Sequence, residues 1–362
     1  MDLDSLRKRI DELDREIIHA LNLRAEVAEQ IGQVKASIGK AVFDPRREEQ
    51  VFRKVMSLNE GPLEKEGLRA IYREVISACS AVQRIMRKIA YLGPEATYTH
   101  QAAVKQFGAS SSFEAMPTIH DVFAEVDSGG ADFGVIPIEN STEGVVFHSL
   151  HSFDILVESD LKIVSQVYLP ISHALISRSP LNEIRKVYSK DQAIAQCREW
   201  LRRHLPNVEF EDVPSTTQAV QIASDEPGAA AIASKLAAEL YQVPVVKEGI
   251  QDLKDNVTRF LVIGHQDLKS PPVGEGNDKT SFVLSIPDTP GALQKCLEPF
   301  SRRGISLSKI ESRPSRKKAW EYLFFVDVIG HFQDPGLQEA YRELQEQCRV
   351  IKCLGSYPNI VE

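Results

Sequence analysis

Few of the usual chemical signposts are present in this chain. There are only five cysteines, Cys79, Cys197, Cys296, Cys348 and Cys353, and none forms a CxxC pair. That argues against a thiolate metal centre and makes reduced thiols the default expectation. No apolar run approaches the ~18 residues of a membrane span. The opening residues, MDLDSLRKRIDELD, are too charged for a signal peptide, so a cytoplasmic location with no membrane partner is expected. Neither GxGxxG nor GxxxxGK[ST] occurs, and no nucleotide or other cofactor is expected. His148 and His151 form a solitary HxxH spacing, which is no metal site by itself. Net charge is −8. Residues 1–90 hold 17 Lys and Arg against 15 Asp and Glu, so no domain is basic enough for nucleic-acid binding. No internal repeat is evident.

With 43% hydrophobic and 26% charged residues over 362 positions, the chain can build two or three real cores. Its first stretch is a long amphipathic segment, Leu3 to Lys35. Leu3, Leu6, Ile10, Leu13, Ile17, Leu21, Ala28 and Ile31 recur at three- and four-residue steps, a helical period of coiled-coil type. A helix of this length spans roughly 50 Å at 1.5 Å per residue. A partner helix is required, and the simplest partner is the same helix of a second chain, which predicts a homodimer or a higher homo-oligomer. Arg24 and Lys35 fall where the apolar seam should continue, and Arg7 lies at its edge. A buried unpaired cation costs several kcal/mol. Such charges either snorkel at a bundle rim or meet a ligand. Three on one stripe point to a pocket for a small polyanion. Asp44 and Pro45 then restart a helix as N-cap and first position. A third helix carries Leu68, Ile71, Val75, Cys79 and Val82 at its period, with Gln83 one turn beyond Cys79.

From Lys88 to about Gly264, short β-rich runs alternate with helical patterns (IAYLG, FGVIPIEN, LKIVSQVYLP, KVYS, AAAIAS, VPVVKEG, RFLVIG), which argues for α/β layers. Residues 266–278 read as a linker rich in Pro, Gly and polar groups. The remainder follows the order β-α-β-β-α-β, a ferredoxin-like unit. The fold class is therefore multidomain α plus α/β, divided as 1–87 helical, 88–265 two-lobed α/β, 266–278 linker and 279–362 ferredoxin-like.

The motifs within these segments resemble a known family over nearly the whole chain. Residues 1–90 resemble the all-helical type of chorismate mutase, whose substrate-binding pattern matches at Arg7, Arg24, Lys35, Asp44, Arg47, Glu48 and Gln83, with Cys79 where a serine is frequent. GPEATYTHQAA (93–103), PIENSTEGVV (137–146) and TRF (258–260) resemble prephenate dehydratase. Gly291-Ala292-Leu293 and Glu311-Ser312-Arg313-Pro314, inside the C-terminal unit, resemble the phenylalanine-binding motifs of an ACT regulatory domain. The whole is similar to the bifunctional chorismate mutase–prephenate dehydratase family.

The resemblance implies that chorismate is rearranged to prephenate, and prephenate decarboxylated and dehydrated to phenylpyruvate, under feedback by L-phenylalanine. It assigns Arg24, and Arg7 from the partner subunit, to the carboxylates of chorismate, Lys35 and Gln83 to the ether oxygen, and Glu48, helped by the backbone near Asp44, to the ring hydroxyl. In the dehydratase it points to Thr258 as the essential hydroxyl, with Glu139, Asn140, Ser189 and Gln196 in the pocket and Arg259 at a substrate carboxylate. This chain departs from the frequent SHPQ pattern with Ser189-Lys190-Asp191-Gln192. Gly291 is expected to admit a close backbone approach at a helix start. Rival readings are an amino-acid-binding regulator with retired catalytic sites, a chain with one live activity whose helical domain is kept only for dimerisation, and a dehydratase acting on arogenate.

Overall fold

The computed structural model describes the chain apart from residues 1, 38–44, 83–86, 142–143, 146–148, 267–277, 315–321 and 361–362. Asp44, Gln83 and most of the expected linker therefore lie outside the described residues. The chain divides into two compact units, Met1–Lys88 with Gln106–Ser112, and Ile89–Lys105 with Phe113–Glu362.

The first unit is helical: α1 (Leu3–Ser37), α2 (Pro45–Ser57) and α3 (Lys65–Val82). Pro45 opens α2, where its missing N–H is harmless. Cys79 and Phe52 are buried, and the Arg69 guanidinium lies 4.6 Å from the Phe52 ring centre. The apolar stripe of α1 stays open: Leu3 is 61%, Ile10 58% and Ile17 55% exposed. Covering one such side chain gains about 1.5–3 kcal/mol.

The second unit begins with β1 (Lys88–Leu92), α4 (Tyr98–Phe107), β2 (Ser112–Met116), α5 (Ile119–Asp127), β3 (Phe133–Asn140), β4 (Gly144–Val145), α6 (Ser149–Glu158) and β5 (Lys162–Pro170). A second lobe follows: β6 (Ala174–Ile176), β7 (Lys186–Ser189), α7 (Asp191–Gln196), α8 (Arg198–His204), β8 (Glu209–Asp212), α9 (Thr216–Asp225), β9 (Ala229–Ala233), α10 (Lys235–Leu240) and β10 (Val245–Glu248). The chain then returns through β11 (Val257–Gly264) to the first sheet, whose order is β2-β1-β3-β11-β5 with β4 beside β3. The second sheet runs β10-β6-β9-β7-β8. Each has its own apolar core, one around Val122, Ile136 and Leu261, the other on both faces of the all-buried strand Ala229–Ala233.

The C-terminal part is β12 (Asp278–Ser285), α11 (Ala292–Arg302), β13 (Leu307–Pro314), β14 (Tyr322–Ile329), α12 (Pro335–Gln347) and β15 (Val350–Pro358), paired antiparallel in the order β13-β14-β12-β15. This is the ferredoxin-like arrangement. Strand alternation gives the sheet two apolar faces. Phe282, Leu284, Val326 and Val328 pack with Phe300, Leu337 and Leu344 of the two helices. Val283, Phe325, Leu354 and Tyr357 join the core of the first sheet instead. Gly355 marks how closely the two bodies approach, since a Cβ built on it would lie 2.2 Å from the Ile163 carbonyl oxygen.

Candidate active site

Thr258 and Asn140 sit directly opposite each other where β11 pairs antiparallel with β3, so both side chains leave the same face of the sheet. Both are almost fully buried. The Asn140 amide donates to Thr258 Oγ1 at 2.8 Å and to Asn256 Oδ1 at 2.7 Å. Asn256 Nδ2 donates to Gln196 Oε1 at 3.1 Å, and His173 Nε2 lies 2.8 Å from that same oxygen. The amide oxygen can only accept, so Nε2 carries the proton and Nδ1 is left facing the Tyr98 hydroxyl at 2.9 Å. Tyr98 Oη is also 2.8 Å from the Ser172 carbonyl. One hydrogen-bonded chain therefore runs from Tyr98 through His173, Gln196, Asn256 and Asn140 to Thr258. Because Thr258 Oγ1 already accepts from Asn140, its own proton is free to be donated outward. Burial pushes the Tyr98 phenol far above its ordinary value and keeps it neutral.

Tyr98, His173, Gln196, Asn140 and Thr258 of this chain line a cavity of about 170 Å³. Leu92, Ile171 and Phe260 supply apolar wall, and Lys190, Gln192 and Gln196 come from the second lobe. Of the expected residues, Thr258, Asn140 and Gln196 are brought together. Three others are placed elsewhere. Ser189 is fully buried and donates to the Ile232 carbonyl at 2.6 Å, holding β7 to β9. Glu139 and Arg259, one residue along from Asn140 and Thr258, emerge on the opposite face of the sheet, as the two-residue strand period requires.

There the Arg259 guanidinium bonds Glu139 at 2.9 Å, Asp327 at 2.8 Å and the Tyr357 hydroxyl at 2.9 Å. Ser281 donates to Asp327 at 2.5 Å, and Lys309 reaches Glu139. The expectation that Arg259 meets a substrate carboxylate in the cavity is thus corrected: it is a buried tie between β11 and the C-terminal sheet. Burial raises the Glu139 and Asp327 carboxyls, but Arg259, with Lys309 at Glu139 and Ser281 at Asp327, outweighs it and holds both below their ordinary values.

A second cavity, of about 270 Å³, lies at the start of α11 and is lined by Gly291, Ala292, Leu293, Tyr322, Phe324 and Arg349 among others. Gly291 has φ +80, a conformation costly for a side chain, yet a Cβ there would touch nothing. Backbone conformation, rather than close approach, is what requires glycine here. Glu311, Ser312, Arg313 and Pro314 lie on β13, with Ser312 opposite Phe324 and Pro314 opposite Tyr322. They border the cavity-lining strand without being among the lining residues.

In the helical unit, Arg24 and Lys35 are half-buried on α1. Arg7 is exposed, 3.6 Å from Asp4. Arg47 is exposed beside Gln50. Glu48 accepts from Arg87 at 2.9 Å, and Arg87 also donates to Ser80. Sequence reasoning overlooked Glu49, which is buried and accepts from Arg53 and Arg69. It also overlooked Tyr98, His173 and Asn256. Asn256 lies two residues before Thr258, just ahead of β11.

A two-lobed α/β body with a hydrogen-bonding cavity centred on one threonine, carrying a ferredoxin-like unit with a cavity of its own, defines a class: an enzyme for a small polar substrate with an appended small-molecule-binding domain. Comparison with known proteins makes the class particular. Family models match for chorismate mutase type II at residues 6–84, prephenate dehydratase at 89–268 and the ACT domain at 280–346. The bifunctional chorismate mutase/prephenate dehydratase of Aquifex aeolicus is 46% identical over 99% of this chain and 98% of its own. That of Stutzerimonas stutzeri is 43% identical over the same shares. A crystal structure of prephenate dehydratase in complex with L-Phe, from Arthrobacter aurescens, superposes with a TM-score of 0.68 at 31% identity, covering 76% of this chain and 93% of that one. The chain belongs to the bifunctional chorismate mutase/prephenate dehydratase family.

Proposed function

We propose that the chain rearranges chorismate to prephenate with residues 1–87, and converts prephenate to phenylpyruvate, CO2 and water with residues 88–265. Phenylalanine acting on residues 279–362 restrains the second step. The observation that carries the dehydratase reading is the Asn140–Thr258 pair at the cavity wall. When the C–C bond to the ring carboxylate breaks, its electron pair enters the ring and expels the ring hydroxyl, whose oxygen takes up a proton from solvent and departs as water. Thr258, its oxygen lone pair engaged by Asn140, donates its hydrogen bond to that departing oxygen. A threonine is too weak an acid to surrender its proton outright, so its role is polarisation.

The mutase reaction needs no covalent chemistry, only a held conformer and stabilised charge. Arg24 and Lys35 on the half-buried side of α1 fit a dicarboxylate, with Arg47, Glu48, Cys79, Asp44 and Gln83 completing the set and Arg7 supplied by a second copy. The open apolar stripe of α1 supports that homodimer. The five free thiols fit a reducing, cytoplasmic compartment.

Phenylalanine is taken to enter the cavity at Gly291–Leu293, with Glu311–Pro314 meeting it from a paired domain. Strand β14 supports a route inward. It presents Tyr322 and Phe324 to that cavity and, on its other face, Asp327 to Arg259, the neighbour of Thr258. An effector that favours one arrangement of paired domains biases that strand. A single time course tests the reading: chorismate alone is supplied and chorismate, prephenate and phenylpyruvate are followed with and without phenylalanine. Accumulation of phenylpyruvate, slowed by phenylalanine, is expected. Prephenate that accumulates and goes no further would overturn the dehydratase assignment, and untouched chorismate the mutase assignment.

A further inference from the structure

Prephenate carries two carboxylates, and the cavity assigned to it contains no Arg, Asp or Glu among its described lining residues. Arg259 is held on the far side of the sheet by Asp327, Glu139 and Tyr357. The lining residues include one lysine, Lys190, at the position where this chain departs from the frequent SHPQ pattern. Resting on the dehydratase reading above, we propose that Lys190 binds the side-chain carboxylate of prephenate, the one retained in the product, and that it thereby sets the enzyme's substrate affinity and its preference for a keto acid.

The geometry places the two halves of the task on different lobes. Thr258 and Asn140 come from the first sheet. Lys190 lies between β7 and α7, whose Gln192 and Gln196 also line the cavity. A substrate bridging the lobes presents its ring hydroxyl to one and its pyruvyl arm to the other. Lys190 is half-buried. Burial lowers its proton affinity and the Asp212 carboxylate partly restores it. Asp212 is itself fixed by the Asp191 amide at 2.8 Å. A partly desolvated charge acts more strongly on an anion than one in bulk water.

The chemistry decides which carboxylate is held. The ring carboxylate loses its charge as it becomes CO2, so a cation bound to it would stabilise the ground state against the transition state and slow the reaction. The side-chain carboxylate keeps its charge throughout. A cation there binds substrate, transition state and phenylpyruvate alike, which lowers KM and leaves kcat alone. An ammonium on the adjacent carbon, as in an amino-acid analogue of prephenate such as arogenate, would meet Lys190 as a like charge.

The test is steady-state kinetics of the full chain with K190Q, K190M and K190R. Wild-type turnover of prephenate decides the dehydratase reading itself; if there is none, that reading fails and the Lys190 assignment falls with it. Given turnover, K190Q and K190M are expected to raise KM for prephenate ~10- to 100-fold while kcat stays within about threefold. The inhibition constant for phenylpyruvate should rise in the same proportion, and K190R should restore most of both. The ratio of kcat/KM for arogenate over prephenate should increase in K190Q. Circular dichroism and thermal unfolding of the full chain report that the variants are folded. An unchanged KM would overturn the proposal. So would a changed kcat with an unchanged phenylpyruvate constant, because that pattern belongs to a cation on the carboxylate that departs.

Discussion

At the scale of single residues, the cavity works through hydrogen bonds that leave one proton aimed outward. Thr258 accepts from Asn140, which leaves its own hydrogen to be donated elsewhere. Thr258→Ser retains that oxygen and should keep measurable dehydratase activity. Thr258→Val keeps the shape, removes the hydroxyl, and should lower kcat by ~100-fold or more while chorismate mutase activity is unchanged. Single-turnover assays with prephenate check both. The buried Lys279 offers a different prediction, on stability. Burial, then the neighbouring Arg259, push its ammonium down to about 8 against the pull of Asp327 and Glu139. The charged form is therefore penalised in the folded state. That penalty is complete below about pH 8 and is relieved as pH rises from there toward the ordinary value of 10.5. Lys279→Met should stabilise the protein at pH 7 by about 1–2 kcal/mol. The gain should shrink by pH 9.5, as urea unfolding at the two pH values will show.

Single elements carry consequences that their residues alone do not. β11 holds Thr258 toward the cavity and Arg259 toward the C-terminal sheet, so one strand serves two neighbours. The motif TRF was legible in the sequence, but its two polar residues could not both face one substrate. The two-residue strand period, applied to that tripeptide, already separates them. The pairing of Thr258 with Asn140 across a sequence separation of 118 was less legible, because register depends on how two distant segments align. The ferredoxin-like order could be read from alternating patterns. The contact of its outer face with the first sheet could not, since Val283 and Phe325 look like any strand residues. Gly355 gives that contact a test. Gly355→Ala would drive a methyl into the Ile163 backbone, which only a shift of β15 from β5 can relieve. A fall in stability of about 2–4 kcal/mol is expected, measurable by thermal unfolding. At the start of α11, Gly291→Val forces a β-branched residue to φ +80. It should remove the response to phenylalanine while both reactions continue, as inhibition curves on the variant will report.

The whole molecule carries a cavity lined within one chain and a long helix, α1, whose apolar stripe stays exposed. Acid should expose the weakness of the first. Glu139 and Asp327 are held below their ordinary values of 4.5 and 3.8. Their contribution to stability is present above those values and is lost as pH falls through the lower folded values. Unfolding free energy followed from pH 6 to pH 3 should drop steeply below about pH 4. The open face of α1 has a consequence of another kind. The proposed reading, in which Arg7 comes from one subunit and Arg24 from the other, requires that two inactive chains can repair each other. R7A alone and R24A alone should each lack mutase activity. Mixed and allowed to exchange, half of the dimers pair one of each, and each such pair rebuilds one of its two sites from the undamaged arginine of either chain. The mixture should regain about a quarter of the wild-type mutase rate, and a mixture that stays silent would mean that each subunit completes its site alone.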